Sequence, residues 1–326
     1  MTERSSPRQR ISQVIEHLDV IALGGNALLP SGKTGTIREQ LAVTRKAMEQ
    51  TAALLAAGRR IVITHGNGPV VGNIVIRNEA AARSIPPMPL DVCGADSQGG
   101  IGYMVEQSLR NALRDRGDAT EVAAIVTQVV VSEHDPAFQK PVKPIGPFYT
   151  KADAARLSRE RGWTIVEDSR RGYRRVVPSP YPVEIVEANV IRHLVEAGTI
   201  VIAAGGGGVP VVRVGGRLEG REAVIDKDPT SALLGNVLGA ERLIILTDTE
   251  AVFRDFGTPQ AAPIRRASLA EVRTQIEEGR FPEGSMGPKL GAVVTFLEGG
   301  GEVAVVCRPE HLVDALRGSH GTTIYR

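Results

Sequence analysis

Residues 59–69 read RRIVITHGNGP. A short apolar, β-branched run fits a buried strand, and Gly-Asn-Gly-Pro ends it in a turn that a helix can follow. The same grammar stands upstream, where LDVIALGG (18–25) is another apolar run closed by glycine. Between the two, residues 37–57 carry apolar positions at helical spacing and stop at Gly58, a C-terminal signal. Downstream, the pattern predicts a helix through about residue 82, a second over roughly 96–115, and a strand over 120–131. Strand, helix, strand, helix is the signature of an α/β fold: an open parallel sheet with helices on both faces.

The rhythm fails between about 133 and 181, in DPAFQKPVKPIGPFYT and DSRRGYRRVVPSPYP. Proline at this density removes ladder donors and limits regular structure, so this stretch is expected to be a small inserted subdomain or lid. Strands return at 199–212, 240–248 and 302–306, with helices expected at about 229–239 and 285–298.

The 326 residues suffice for one large or two small domains, and 42% hydrophobic with 23% charged residues is the composition of a soluble globular protein. A formal net charge of +2 gives no ground for a nucleic-acid or membrane partner. Cys93 and Cys307 are the only cysteines, which argues against a disulfide scaffold and fits a reducing cytosol. Residues 1–17 lack the apolar core of a signal peptide and read as a surface-lying extension.

Three strands end in glycine: Gly24-Gly25-Asn26, Gly66-Asn67-Gly68, and Gly205 to Gly208. Glycine lets backbone N–H groups approach an anion, and a following helix adds its positive end. In an open parallel sheet such turns should line up beyond the carboxyl ends of the strands. A relaxed P-loop pattern in ALLPSGKT (27–34) is set aside, because Gly35 follows where a helix should begin. His65 is expected to brace its turn.

Lysine is rare here. Of 39 Lys plus Arg, only residues 33, 46, 140, 143, 151, 227 and 289 are Lys. Two of them sit oddly. In EAVIDKDP (222–229) the reading is a short strand, then a helix capped by Asp228 with Pro229 in its first position. Lys227 then lies at the positive end of a helix, which disfavours a cation. Lys289, in GSMGPK, lies in the first turn of a helix that Ser285 would cap. A bound polyanion removes both anomalies, with Asp226 orienting the Lys227 ammonium. Lys140 and Lys143 could descend from the inserted segment onto the same anion. Glycine amides and lysines without a required nucleophile suit phosphoryl transfer, in which positioning and charge stabilisation do the work.

The segments ALGGNAL, ITHGNGPVVGN, PPMPLDVCGADSQGGIGYM, KPIGPFYT, RRVVPSP, AAGGGGVPVV, EAVIDKD, LIILTD and FPEGSMGPK resemble carbamate kinases of the amino-acid-kinase superfamily over residues 18–326. The resemblance implies a three-layer αβα fold with a protruding subdomain, a cytoplasmic homodimer, and reversible transfer between ATP and carbamate with Mg²⁺ carried on the nucleotide phosphates. It implies Lys143, Lys227 and Lys289 as catalytic lysines. It implies Gly24, Gly25, Asn26, Gly66, Asn67 and Gly68 at the transferred group, and Thr247, Asp248, Met286 and Gly287 at the nucleotide. Gly205 and Gly206 enter the site on the glycine-turn argument and Asp226 on the orienting one. Arginine or purine-derivative breakdown, or carbamoyl phosphate synthesis, are the pathways implied. Val70 after GNGP, Asp96, and DSRRGYRR depart from the family's usual residues. The rival readings are another small-carboxylate kinase of the superfamily and a catalytically silent nucleotide sensor.

Overall fold

The computed structural model describes residues 15–25, 35–55, 58–168, 172–281 and 286–326. Asn26, Lys33, Ser285 and residues 1–14 of the expected extension lie outside these. At its described end the extension packs inward: Ile15 is buried, and His17 Nδ1 lies 3.3 Å from Glu241.

The strands are β1 (Leu18–Leu23), β2 (Arg60–His65), β3 (Val122–Ala124), β4 (Gln128–Val131), β5 (Lys143–Tyr149), β6 (Ile165–Glu167), β7 (Tyr173–Val177), β8 (Pro182–Ile185), β9 (Ile200–Ile202), β10 (Val209–Val214), β11 (Arg217–Gly220), β12 (Arg242–Leu246), β13 (Val252–Arg254), β14 (Ala262–Ile264), β15 (Arg266–Ser268), β16 (Val303–Cys307) and β17 (Thr322–Tyr325). The helices are α1 (Ile37–Leu55), α2 (Gly68–Ala81), α3 (Leu90–Arg114), α4 (Lys151–Arg161), α5 (Ala188–Glu196), α6 (Lys227–Leu238), α7 (Leu269–Glu277), α8 (Met286–Glu298) and α9 (Leu312–Leu316).

One eight-stranded sheet runs β15-β17-β16-β12-β1-β2-β9-β3. It is parallel except where β17 pairs antiparallel with β16. Alternate residues of its strands feed two cores. Val20 and Ala22 of β1 meet α6 and α8 residues such as Leu234 and Phe296, while Ile21 and Leu23 meet α1 and α3 residues such as Met48 and Leu109. This is the expected α/β architecture, with a helical layer on each face.

Two expected strands break in half. Residues 120–131 give β3 and β4, and residues 199–212 give β9 and β10. Each pair leaves the main sheet and re-forms side by side in a second sheet, β11-β10-β4-β8. Thr127 stands at the break. Gln98 of α3 accepts its N–H at 2.8 Å and donates to its carbonyl at 3.0 Å, as a neighbouring strand would. The apolar pattern continues across the break, so the sequence does not announce it.

The segment around 133–181 holds more regular structure than its prolines suggest. β5, β7 and β6 form a three-stranded antiparallel sheet, and α4 packs on it. Pro144 and Pro147 fall on β5, an edge strand, where a missing N–H does not interrupt the ladder. This small sheet docks on α2: Tyr149 donates its hydroxyl to Glu79 at 2.8 Å, and Gly146 lies against Gly72.

Candidate active site

The turns after β1, β2 and β9 come together because those strands are neighbours. They interlock through backbone. Gly24 donates to Leu246 O at 2.8 Å and Gly66 to Leu23 O at 2.8 Å. A Cβ on Gly24 would stand 2.7 Å from Leu246 O, and one on Gly66 3.0 Å from the Gly25 nitrogen. Gly206 (φ 65°) packs on the Asn67 amide, and Gly205 on the His65 ring. Glycine is therefore required here for close approach as well as for turning.

Above these turns lies a cleft of about 710 Å³, within the usual range for a small-molecule site. Gly24, Gly25, Gly66, Asn67, Gly68 and Gly206 line it from the turns, and Lys143, Asp226, Lys227, Thr247, Asp248, Met286 and Lys289 from elsewhere in the chain. Two candidates are not among its walls. Gly205 sits beneath His65, and Gly287 is one position off the lining pair Met286 and Pro288. Pro144, Ile145, Arg174, Val224, Ile225 and Thr249 also line the cleft and were not expected. Alternation along β7 separates Arg174 from Arg175, but which of the two faces the cleft is not legible in the sequence.

Residues Gly68, Lys227 and Met286 are the first residues of α2, α6 and α8. Three helix N-termini thus converge on the cleft, each with first-turn N–H groups that have no intrahelical partner and with the positive end of its dipole. Lys227 and Lys289 lie within the first turns of α6 and α8, as expected.

The cap reading of α6 needs correction. Asp226, not Asp228, is the N-cap: its backbone is extended and its carboxylate accepts the Asp228 N–H at 3.3 Å. Lys227 becomes the first helical residue, and Pro229 falls in the first turn, where no intrahelical N–H is needed. Residues 222–226 form no strand either. Val224 makes an isolated bond to Pro178 O at 3.0 Å.

The carboxylate roles exchange accordingly. Asp228, 2% exposed, accepts from Lys227 through Oδ1 and from Lys289 through Oδ2 at 3.0 Å. Burial pushes its carboxyl up, but the two ammonium groups outweigh that and hold it at about 2. Asp226 instead accepts from Lys143, at 3.0 Å. One carboxylate therefore joins the two helix-borne lysines, and the other joins the lysine of the inserted sheet to the main body.

Polar side chains fix this frame from below. Thr230 donates to Gly207 O at 3.1 Å, tying α6 to the glycine turn. Ser231 donates to Lys227 O at 2.7 Å and meets Thr64 of β2 at 2.6 Å. Asn67 donates to Ser97 of α3 at 2.9 Å. His65 is buried with Nδ1 3.1 Å from Gly66 O. Burial, and more weakly Lys227, lowers its pKa to about 4, so at neutral pH it is an uncharged brace.

Residues 18–308 match the profile of the Amino acid kinase family. The chain belongs to that family. It is 49% identical over 307 residues to a carbamate kinase of Pyrococcus furiosus, covering 94% of this chain and 98% of the relative. A carbamate kinase of Clostridium perfringens is 45% identical over 311 residues, with 94% and 99% covered. Among solved structures, carbamate kinase from Giardia lamblia bound to AMP-PNP superposes with a TM-score of 0.91 at 39% identity, covering 95% of this chain and 98% of that one. Family membership over this span accounts for the three-layer fold.

Proposed function

We infer that the protein is a carbamate kinase, transferring a phosphoryl group reversibly between ATP and carbamate to give ADP and carbamoyl phosphate. The observation that carries this reading is the convergence of Lys143, Lys227 and Lys289 with three glycine turns in one cleft. The transferred group spreads negative charge over its oxygens, and fixed amides and ammonium groups stabilise that charge without reorganising. In this role Lys227 and Lys289, held apart and oriented by Asp228, flank the transferred phosphoryl group. Gly25 and Gly68 supply backbone amides, Gly24 and Gly66 hold the turns together through their own backbone bonds, and Asn67 helps to hold the acceptor. Lys143 leaves Asp226 for the anion when substrate arrives. Thr247, Asp248 and Met286, on the β12 and α8 side, hold the nucleotide.

The carboxylates of Asp226 and Asp248 line the same cleft. They are the hard oxygen donors that Mg²⁺ accepts beside nucleotide phosphates. Bound there, Mg²⁺ would neutralise phosphate charge.

The exposed face of α3 carries Gly99, Gly100 and Tyr103, the last 60% exposed. These positions share one side of the helix, and a second copy of this chain is proposed to cover them, making a homodimer. Two buried free thiols accord with a cytoplasmic location.

The purified protein, given ADP and carbamoyl phosphate, should make ATP. Absence of ATP together with turnover of a different acyl phosphate would replace this reading by the related small-carboxylate kinase.

A further inference from the structure

We infer that Arg174 is a further substrate-binding residue, whose guanidinium grips the anionic oxygens of carbamoyl phosphate from the inserted sheet. The inference rests on the carbamate kinase reading of the cleft and adds a residue to it.

Strand alternation aims Arg174. On β7, Arg174 lines the catalytic cleft, whereas Arg175 turns to the other side and lines a separate cavity of about 520 Å³. There Arg175 stacks over Trp163 at 4.3 Å and pairs with Glu222 at 2.9 Å. The partner strand gives way opposite Arg174. Between the pairs Ile145–Arg175 and Tyr149–Tyr173, three β5 residues stand against Arg174 alone, with Gly146 at φ 69°. Bulges of this kind re-aim a side chain and concentrate beside active sites. One of the three, Phe148, places its ring 5.2 Å from the guanidinium.

The donor inventory leaves room for a ligand. A guanidinium has five N–H donors. Nη1 of Arg174 donates to Asp168 at 3.3 Å, a long contact, and Nε is buried with no hydrogen-bond partner. The side chain is 22% exposed, so it is open to the cleft yet shielded enough for an ion pair to count. A planar fork matches a carboxyl or phosphoryl group in two parallel bonds, which Lys143 of the same cleft cannot do.

Position selects the substrate. The inserted sheet docks on α2, on the side of the β2 and β9 turns. The nucleotide candidates come from β12 and α8, across β1. Arg174 therefore belongs to the carbamoyl phosphate half.

The test is steady-state kinetics with ADP and carbamoyl phosphate varied separately, on wild type, R174M, R174K and D168N. R174M should raise KM for carbamoyl phosphate by about 10- to 100-fold, the scale of a lost charge-assisted bond, while KM for ADP stays within about twofold. R174K, which keeps the charge and loses the fork, should fall between. D168N should leave KM for carbamoyl phosphate near wild type. Equal rises in both KM values, or a D168N that reproduces R174M, would assign Arg174 to bracing the sheet and overturn the inference. Affinity for inorganic phosphate, read by calorimetry, should weaken about tenfold in R174M; an unchanged value also overturns it. Wild-type turnover tests the parent reading by itself, and the calorimetric comparison stands whether or not that turnover is found.

Discussion

At the scale of single residues, charge placed against a helix dipole was the legible signal. Lys227 and Lys289 stand out in the sequence because a cation in a helix's first turn needs an anion nearby, and both line one cleft. What the sequence hid was which carboxylate each lysine meets. Asp226, Lys227 and Asp228 are consecutive, and one helical step decides which of the two aspartates caps and which bridges. Lys227→Ala should lower kcat about 10²–10³-fold, the scale for one transition-state donor, with the KM for ADP little changed; initial rates at saturating ADP check this. His65 makes a separate pH prediction. Its folded pKa is depressed to about 4 against about 6.5 unfolded, so between those values only the unfolded chain takes up the proton. Stability is therefore full above about pH 6.5 and declines as pH falls towards 4, by up to about 1.4 kcal/mol per unit. Urea unfolding of wild type at pH 7.5 and pH 5 should show this loss, and His65→Asn should shrink it.

At the scale of elements, the glycine turns were legible as turns but not as mutual contacts. Gly207, at φ 88°, would place a Cβ 2.4 Å from Ile225 O, directly before the Asp226 cap. Gly207→Ala should cost at least about 2 kcal/mol, combining left-handed strain with a backbone clash, and should also displace Lys227. A thermal melt with parallel kinetics checks both, and a melt equal to wild type would mean that the turn and the α6 entry are not coupled. Helix α7 carries a plain local start signal: Ser268 and Glu271 form a reciprocal capping box. The divided strands are a different case. Nothing in the alternation of 120–131 marks where the chain changes sheets, because both sheets bury the same residue types, whereas in 199–212 the Gly205–Gly208 run stands at the change.

At the scale of the whole molecule, stability and chemistry occupy opposite ends of the sheet. Asp19, near the start of β1 and fully buried, accepts from Arg59 at 2.7 and 2.8 Å and from Arg242 at 2.5 and 2.7 Å. The cleft lies past the other end of the same strand. Asp19→Ala leaves two partly buried guanidinium groups without their shared carboxylate and should cost about 3 kcal/mol. The enzyme that remains folded should keep kcat near wild type; a matching loss of kcat would mean that this end of the sheet also controls the site. By itself the sequence determined the α/β class, the three glycine turns and the anomalous lysines, because each rests on local chemistry: periodicity, turn geometry, a dipole's sign. Only the tertiary structure decided that Asp228 joins Lys227 to Lys289, that Asp226 holds Lys143, and that β7 turns Arg174 into the cleft. The two lysine contacts span 61 and 83 residues of chain, and partners so far apart are chosen by how layers pack, which no local pattern encodes.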